Sequence, residues 1–182
     1  DTGRFDILIR GGWVVDGMGV PPYRADIGIV GDRIVRVSRT PLDTVVADRI
    51  IDAEGLVVAP GFIDAHVHVD DLHRRPLAES VIRQGVTTVI YAADGGMPWP
   101  LGEYITELGA RGHAPNIAFF AGHNTIRRRV MGTANRAPQP DELERMKEMV
   151  ARAMGEGAIG LSSGLRYVPA IHSTTEEVIE LA

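Results

Sequence analysis

The residues with the plainest chemical potential lie in "GFIDAHVHVDD" (61–71), where His66 and His68 are one residue apart. Along an extended strand alternate side chains leave the same face, so the two imidazoles point one way. In parallel βα architectures the C-terminal end of a strand is where active sites form. Two neutral imidazoles converging there suit Zn²⁺ or a similar borderline divalent ion. The same spacing also describes two strand-end histidines with unrelated hydrogen bonds, and the pair alone leaves both readings open. The chain has no cysteine, so it offers neither a thiolate ligand nor a disulfide.

The segments around the pair say what must position it. Residues 5 to 60 read as short strands, "FDILIRGG", "WVVDG", "ADIGIVGD", "RIVRVS" and "LVVAPG", punctuated by glycine, aspartate and proline. "IGIVGDRIVRV" predicts a hairpin turning at Gly31-Asp32. A block this small with open edges predicts part of a β-sandwich over 1–60, completed by strands from elsewhere.

After Pro60 the rhythm becomes strand–helix alternation. "FIDAHVH" precedes a helix near 76–84, then the strand "GVTTVIYA", a helix at about 101–112 and the strand "NIAFFAGH". "DELERMKEMVARAMGEG" is amphipathic, with Leu143, Met146, Val150 and Ala153 on one face. Pro140, Asp141 and Glu142 suit its first turn, and Gly155 and Gly157 its end. "AIGLSSG" reads as a further strand, and "HSTTEEVIELA" as a helix with a capping box from Ser173 to Glu176. Repeated βα units imply a parallel sheet, open or closed. About four such units predict the first half of a larger domain over 61–182, with a missing half or a second polypeptide completing it.

Composition removes several function classes. At 182 residues, 45% apolar and 24% charged, with a formal net charge of −5, the chain can bury a sizeable core and shows no basic stripe for nucleic acid. No apolar run approaches the ~20 residues that span a bilayer. The sequence starts at Asp1 rather than methionine, so no leader can be read. The cytoplasm is the expected location, with periplasm or secretion left open.

"LVVAPGFIDAHVH" after a β-rich block resembles the signature of the amidohydrolase superfamily. "RQGVTTVI", "AGHNTIR" and "GAIGLSSGLRYVPAIHSTTEEVIELA" narrow the similarity to its N-acyl-D-amino-acid deacylase (D-aminoacylase) branch, over essentially the whole chain. The resemblance implies an α/β fold: a metal-dependent (β/α)8 TIM barrel, of which about the first four βα units are present, with a small N-terminal β-sandwich. It makes His66 and His68 metal ligands, of one or two divalent ions, Zn²⁺ or another transition metal.

In D-aminoacylases the strand "QGVTTVV" leads to a loop carrying a metal-ligating cysteine. Here "QGVTTVIYAADGG" puts Asp94 at about that position. A carboxylate can ligate zinc and can bridge two ions, so Asp94 is the expected third ligand. The alternative is that it only turns the loop beside Gly95 and Gly96. Hydantoinases instead bridge two metals with a carbamylated lysine on the fourth strand, where Ser162 stands here. The single lysine, Lys147, falls on the polar face of the preceding helix.

The resemblance also places His123 and Arg127 in the active-site wall as substrate contacts, Arg127 as a carboxylate partner. His123 capping the following helix is the alternative. Arg166 and Tyr167 follow the fourth strand, where substrate-contacting loops belong, and an arginine there can pair bidentately with a carboxylate; Tyr167 packing on Pro169 is the other reading. Asp70 and Asp71 either support the ligands or are solvated. His73, His113 and His172 read as surface or packing residues, and "DGGMPWP" matches no phosphate cradle.

The activity implied is metal-dependent hydrolysis of an amide C–N bond, taking a small N-acyl-D-amino acid to a carboxylate and a D-amino acid. The family's general-acid aspartate and further histidine ligands come from later strands, so this chain is expected to be incomplete for catalysis alone. Alternatives are an amidohydrolase of dipeptides or cyclic amides, and a non-catalytic barrel scaffold that has lost its metal.

Overall fold

The computed structural model describes residues 4–43, 45–69 and 71–182. They form two compact units, Asp1–Pro60 and Gly61–Ala182. The first is one five-stranded sheet: β1 (Arg4–Val14), β2 (Tyr23–Val30), β3 (Arg33–Ser38), β4 (Val46–Asp52) and β5 (Val57–Val58). Strand order is β3-β2-β1-β4, with β5 also pairing β1. The β2–β3 hairpin closes at Val30↔Arg33, so Gly31-Asp32 is the turn. The second layer of the expected sandwich is not among the described residues.

Two strand expectations need correction. β1 runs unbroken through Gly11-Gly12, read above as punctuation between two strands; the register shifts between Ile9 and Gly12, a bulge that absorbs the glycines. β4, "VADRIID", carried no alternating apolar signal, because most of its side chains face solvent. It is held by parallel pairing to β1 from Arg4↔Val46 to Arg10↔Asp52. Phe5, Leu8 and Leu42 make one small core, and Val14, Ala25 and Ile27 another. Buried Asp26 is satisfied by backbone donors, accepting from Gly11 N at 2.8 Å and Leu42 N at 2.8 Å.

The second unit has four parallel strands in sequential order: β6 (Phe62–Asp64), β7 (Val86–Tyr91), β8 (Asn116–Gly122) and β9 (Ala158–Ser162). Helices α1 (Glu79–Ile82), α2 (Leu101–Arg111), α3 (His123–Met131), α4 (Pro140–Gly155) and α5 (Thr175–Leu181) alternate with them, α3 and α4 both falling between β8 and β9. This is a parallel βα arrangement of the kind that opens a (β/α)8 barrel. Its core joins Val89, Tyr91 and Phe119 from the sheet to Leu101, Leu108, Ile126, Met146 and Ala153 from the helices. Of the face predicted for α4, Met146 and Ala153 are fully buried, and Leu143 and Val150 pack against that core. The helix starts on a capping box between Gln139 and Glu142.

At α5 the cap lies one residue later than predicted. Thr174, not Ser173, accepts from the helix, at 3.1 Å from Glu177 N. Glu177 cannot fold back over the first turn, because its carboxylate is held in the interior.

Candidate metal centre

Three side chains from two loops converge just beyond the C-terminal ends of β6 and β7. His66 Nε2 lies 3.4 Å from Asp94 Oδ1, and His68 Nε2 lies 3.1 Å from Asp94 Oδ2. One ligand atom from each residue falls within 4.8 Å of the others, the one such cluster among the described residues. The histidines follow β6 rather than sit in it, but the alternation survives: their rings lie 5.6 Å apart and both address the same carboxylate. Asp64 helps set that geometry by accepting from His66 N at 3.1 Å.

The donor set fits a divalent ion. With bonds of ~2.1 Å, ligand atoms around a tetrahedral zinc stand about 3.4 Å apart, close to the two carboxylate–imidazole separations here. Two nitrogens and a carboxylate are borderline-to-hard donors, and each Asp94 oxygen faces a different histidine.

Asp94 is held by its loop. Gly95 N donates to Ser162 Oγ at 3.1 Å, and Ser162 Oγ donates to Ala92 O. Thr125 N donates to Gly95 O at 3.1 Å, and Met97 N to Thr125 Oγ1 at 2.9 Å. So Ser162 ties β9 to the Asp94 loop. Lys147 is occupied elsewhere, pairing with Glu180 at 2.6 Å and Glu144 at 3.2 Å.

A cleft of about 390 Å³ opens beside the cluster, lined by His68, Asp94, Asn124, Arg128, Tyr167 and Val168 among others. Tyr167, 58% exposed, therefore borders the same space as two of the three candidate ligands. Arg166 is exposed on the same loop.

His123 and Arg127 do not face the cleft. Both are fully buried, which leaves neither a surface on which a substrate could rest. His123 Nε2 lies 2.9 Å from Glu177 Oε1, and its Nδ1 2.7 Å from Ser163 Oγ. A carboxylate accepts, so Nε2 is the ring nitrogen that donates to Glu177. Arg127 Nη1 donates to Glu177 Oε2 at 2.5 Å, its Nε to Pro169 O at 3.1 Å and its Nη2 to Arg136 O at 2.8 Å. The carboxylate expected for Arg127 is thus internal. The cause is helical spacing: His123 and Arg127 share the inner face of α3, while Asn124 and Arg128, also four apart, share the cleft face.

Arg128 and Asn124 are the cleft residues that the sequence reading passed over; the signal was in "HNTIRRR", where consecutive arginines on a helix must point in different directions. Asp71 pairs with Arg75 at 3.1 Å rather than with a histidine, and Asp70 lies outside the described residues. His113 Nδ1 donates to Pro115 O at 2.7 Å, a local loop contact.

Comparison with known proteins gives these features a context. The profile of the amidohydrolase family matches residues 49–180. The D-aminoacylase of Alcaligenes xylosoxydans xylosoxydans is 39% identical, over all of this chain and 42% of its own length. A crystal structure of a D-aminoacylase, described as defining a novel subset of amidohydrolases, superposes with a TM-score of 0.86 at 38% identity, over 97% of this chain and 42% of that one. The N-acyl-D-glutamate deacylase of Bordetella bronchiseptica, solved with zinc and a phosphonate inhibitor, superposes with a TM-score of 0.89 at 33% identity, over 98% and 42% of the two chains. The chain thus spans less than half the length of these relatives. Among the described residues, no helix is long and apolar enough to cross a membrane. From its matched profile and its superposition on these structures, the chain belongs to the amidohydrolase family, on the D-aminoacylase and N-acyl-D-amino-acid deacylase branch.

Proposed function

We propose that the intact protein is a metal-dependent hydrolase that cleaves the amide of N-acyl-D-amino acids, with His66, His68 and Asp94 holding the ion. The observation that carries this reading is the convergence of the two imidazoles on both oxygens of one carboxylate, in a chain similar from end to end to a D-aminoacylase. When bound, a divalent ion supplies Lewis-acid polarisation and acidifies water to a pKa near ~7. The chain's own residues then orient: Asp94 keeps both imidazoles turned to one point, and Ser162 and Thr125 hold its loop still. Arg128 and Tyr167 border the space beside it, where an acyl-amino acid fits, and Arg166 is exposed on the loop that carries Tyr167. Zinc is the proposed ion, supported by the zinc-bound deacylase of similar fold. Later βα units, supplied by the remainder of a longer protein or by a second polypeptide, complete the barrel and bring the proton donor for the leaving amine.

Metal analysis of the intact protein, together with hydrolysis of N-acetyl-D-amino acids and their L-enantiomers, tests this. The expected outcome is stoichiometric zinc, cobalt or manganese and turnover confined to the D series. His66→Ala is expected to lose both, with hydrolysis down by more than ~100-fold, beyond what loss of an outer-shell partner costs. An intact protein free of metal, or full activity in His66→Ala, would sink the reading.

A further inference from the structure

We propose that Asn124 is a positioning residue for Asp94, setting how its carboxylate is presented to the ion; this rests on the ligand role proposed above. Asn124 is 7% exposed and is the second residue of α3, two residues after the strand end at Gly122. Its side-chain amide makes two bonds to the backbone of one residue: Oδ1 accepts from Gly164 N at 3.0 Å, and Nδ2 donates to Gly164 O at 3.2 Å. Only this orientation of the amide satisfies both partners. Gly164 in turn presses on the candidate ligand's backbone, since a Cβ there would lie 2.4 Å from Asp94 O. On the other side of the amide, a Cβ on Gly95 would lie 2.2 Å from Asn124 Oδ1. Neither glycine can carry a side chain, and the Asn124 amide is wedged between the backbone after Asp94 and the residue packed over its carbonyl.

The same contact reaches the cleft wall. Gly164 O also accepts from Tyr167 N at 3.1 Å, so Asn124 steadies the loop that brings Tyr167 to the space beside Asp94. His123, one residue earlier on α3, anchors the neighbouring Ser163 from within. Two adjacent helix residues thus fix two adjacent loop residues, and the glycine contact passes that order on to Asp94.

The test uses Co²⁺ alone as probe in the intact protein. Its visible spectrum reports ligand geometry, and titration gives its affinity. Asn124→Ala removes both bonds. Asn124→Asp keeps the acceptor for Gly164 N but sets an oxygen against Gly164 O, and serves where the alanine variant folds poorly. Each is expected to raise the Kd for Co²⁺ by about 10- to 100-fold and to change the visible bands, with the circular dichroism of the fold retained. In an Asp94→Ala background the same Asn124 changes are expected to add nothing, because the route through Asp94 is gone. An unchanged spectrum in both Asn124 variants, with a changed one in Asp94→Ala, overturns the positioning role alone. Full additivity of Asn124 and Asp94 effects overturns it too. No effect of Asp94→Ala removes instead the ligand assignment on which it stands.

Discussion

Three consecutive arginines on α3 have three different environments. Arg127 turns inward to Glu177. Arg128 turns to the cleft and donates to Val168 O at 2.7 Å. Arg129 turns back over Trp99, 5.9 Å from its ring centre. Residue type alone could not separate them; the helical period does, once the inward direction is known. For Arg127 the consequence is energetic. Both side chains of the Arg127–Glu177 pair are fully buried, and a buried charge that loses its partner costs about 3–5 kcal/mol. Glu177→Ala, which strands the guanidinium and leaves His123 Nε2 without its acceptor, is expected to lower unfolding free energy by about that amount in denaturant titration. A loss below about 1 kcal/mol would show that the carbonyls around Arg127 suffice by themselves.

At the scale of elements, helix starts were legible where the capping residues are not drawn into buried contacts. α4 begins where Pro140, Asp141 and Glu142 predicted, because Glu142, although also paired with Arg136, folds back and accepts from Gln139 N at 2.8 Å. At α5 the predicted cap residue, Ser173, instead donates its hydroxyl to the buried Glu177 Oε1 at 3.2 Å, and Thr174 takes the cap. The α4 cap also carries a pH signature. The Arg136 guanidinium, 2.6 Å away, and the Gln139 N–H hold Glu142 down to about 2 from its ordinary 4.5. Glu156 is lowered too, by the Gly102 N–H and then Arg152, and Glu180 by Lys147. A carboxyl whose folded pKa is depressed contributes stability that is complete above its unfolded value and is lost as pH falls through the folded one. Melting temperature is therefore expected to fall between about pH 4.5 and pH 2, and Glu142→Gln to flatten that limb while lowering stability near neutrality. Melts of the two proteins across that range check it; parallel curves would remove Glu142 from the account.

At the scale of the whole molecule, the candidate centre draws on loops that each hang from a different strand, so whatever binds there ties the strands together. Anything bound to the folded state alone stabilises it by mass action, by about 4 kcal/mol at a free concentration ~1,000 times its Kd. Chelation of the intact protein is therefore expected to lower its melting temperature and abolish hydrolysis together, and added Zn²⁺, Co²⁺ or Mn²⁺ to restore both. A melt unmoved by chelation, in a protein shown to have lost its metal, would mean the centre contributes nothing to the fold. The sequence by itself determined the βα rhythm, the hairpin at Gly31-Asp32 and the pairing of His66 with His68, since period, turn chemistry and strand alternation are local properties. It left Asp94 between ligand and turn residue, and it sent His123 and Arg127 to a wall they do not form. Those questions turn on contacts between residues 40 and more positions apart, such as Ser162 with the Asp94 loop and Glu177 with α3. Only packing of β9 and α5 against β7, β8 and α3 brings those groups together, and only then does it follow which polar side chains are spent inside and which are left to face the cleft.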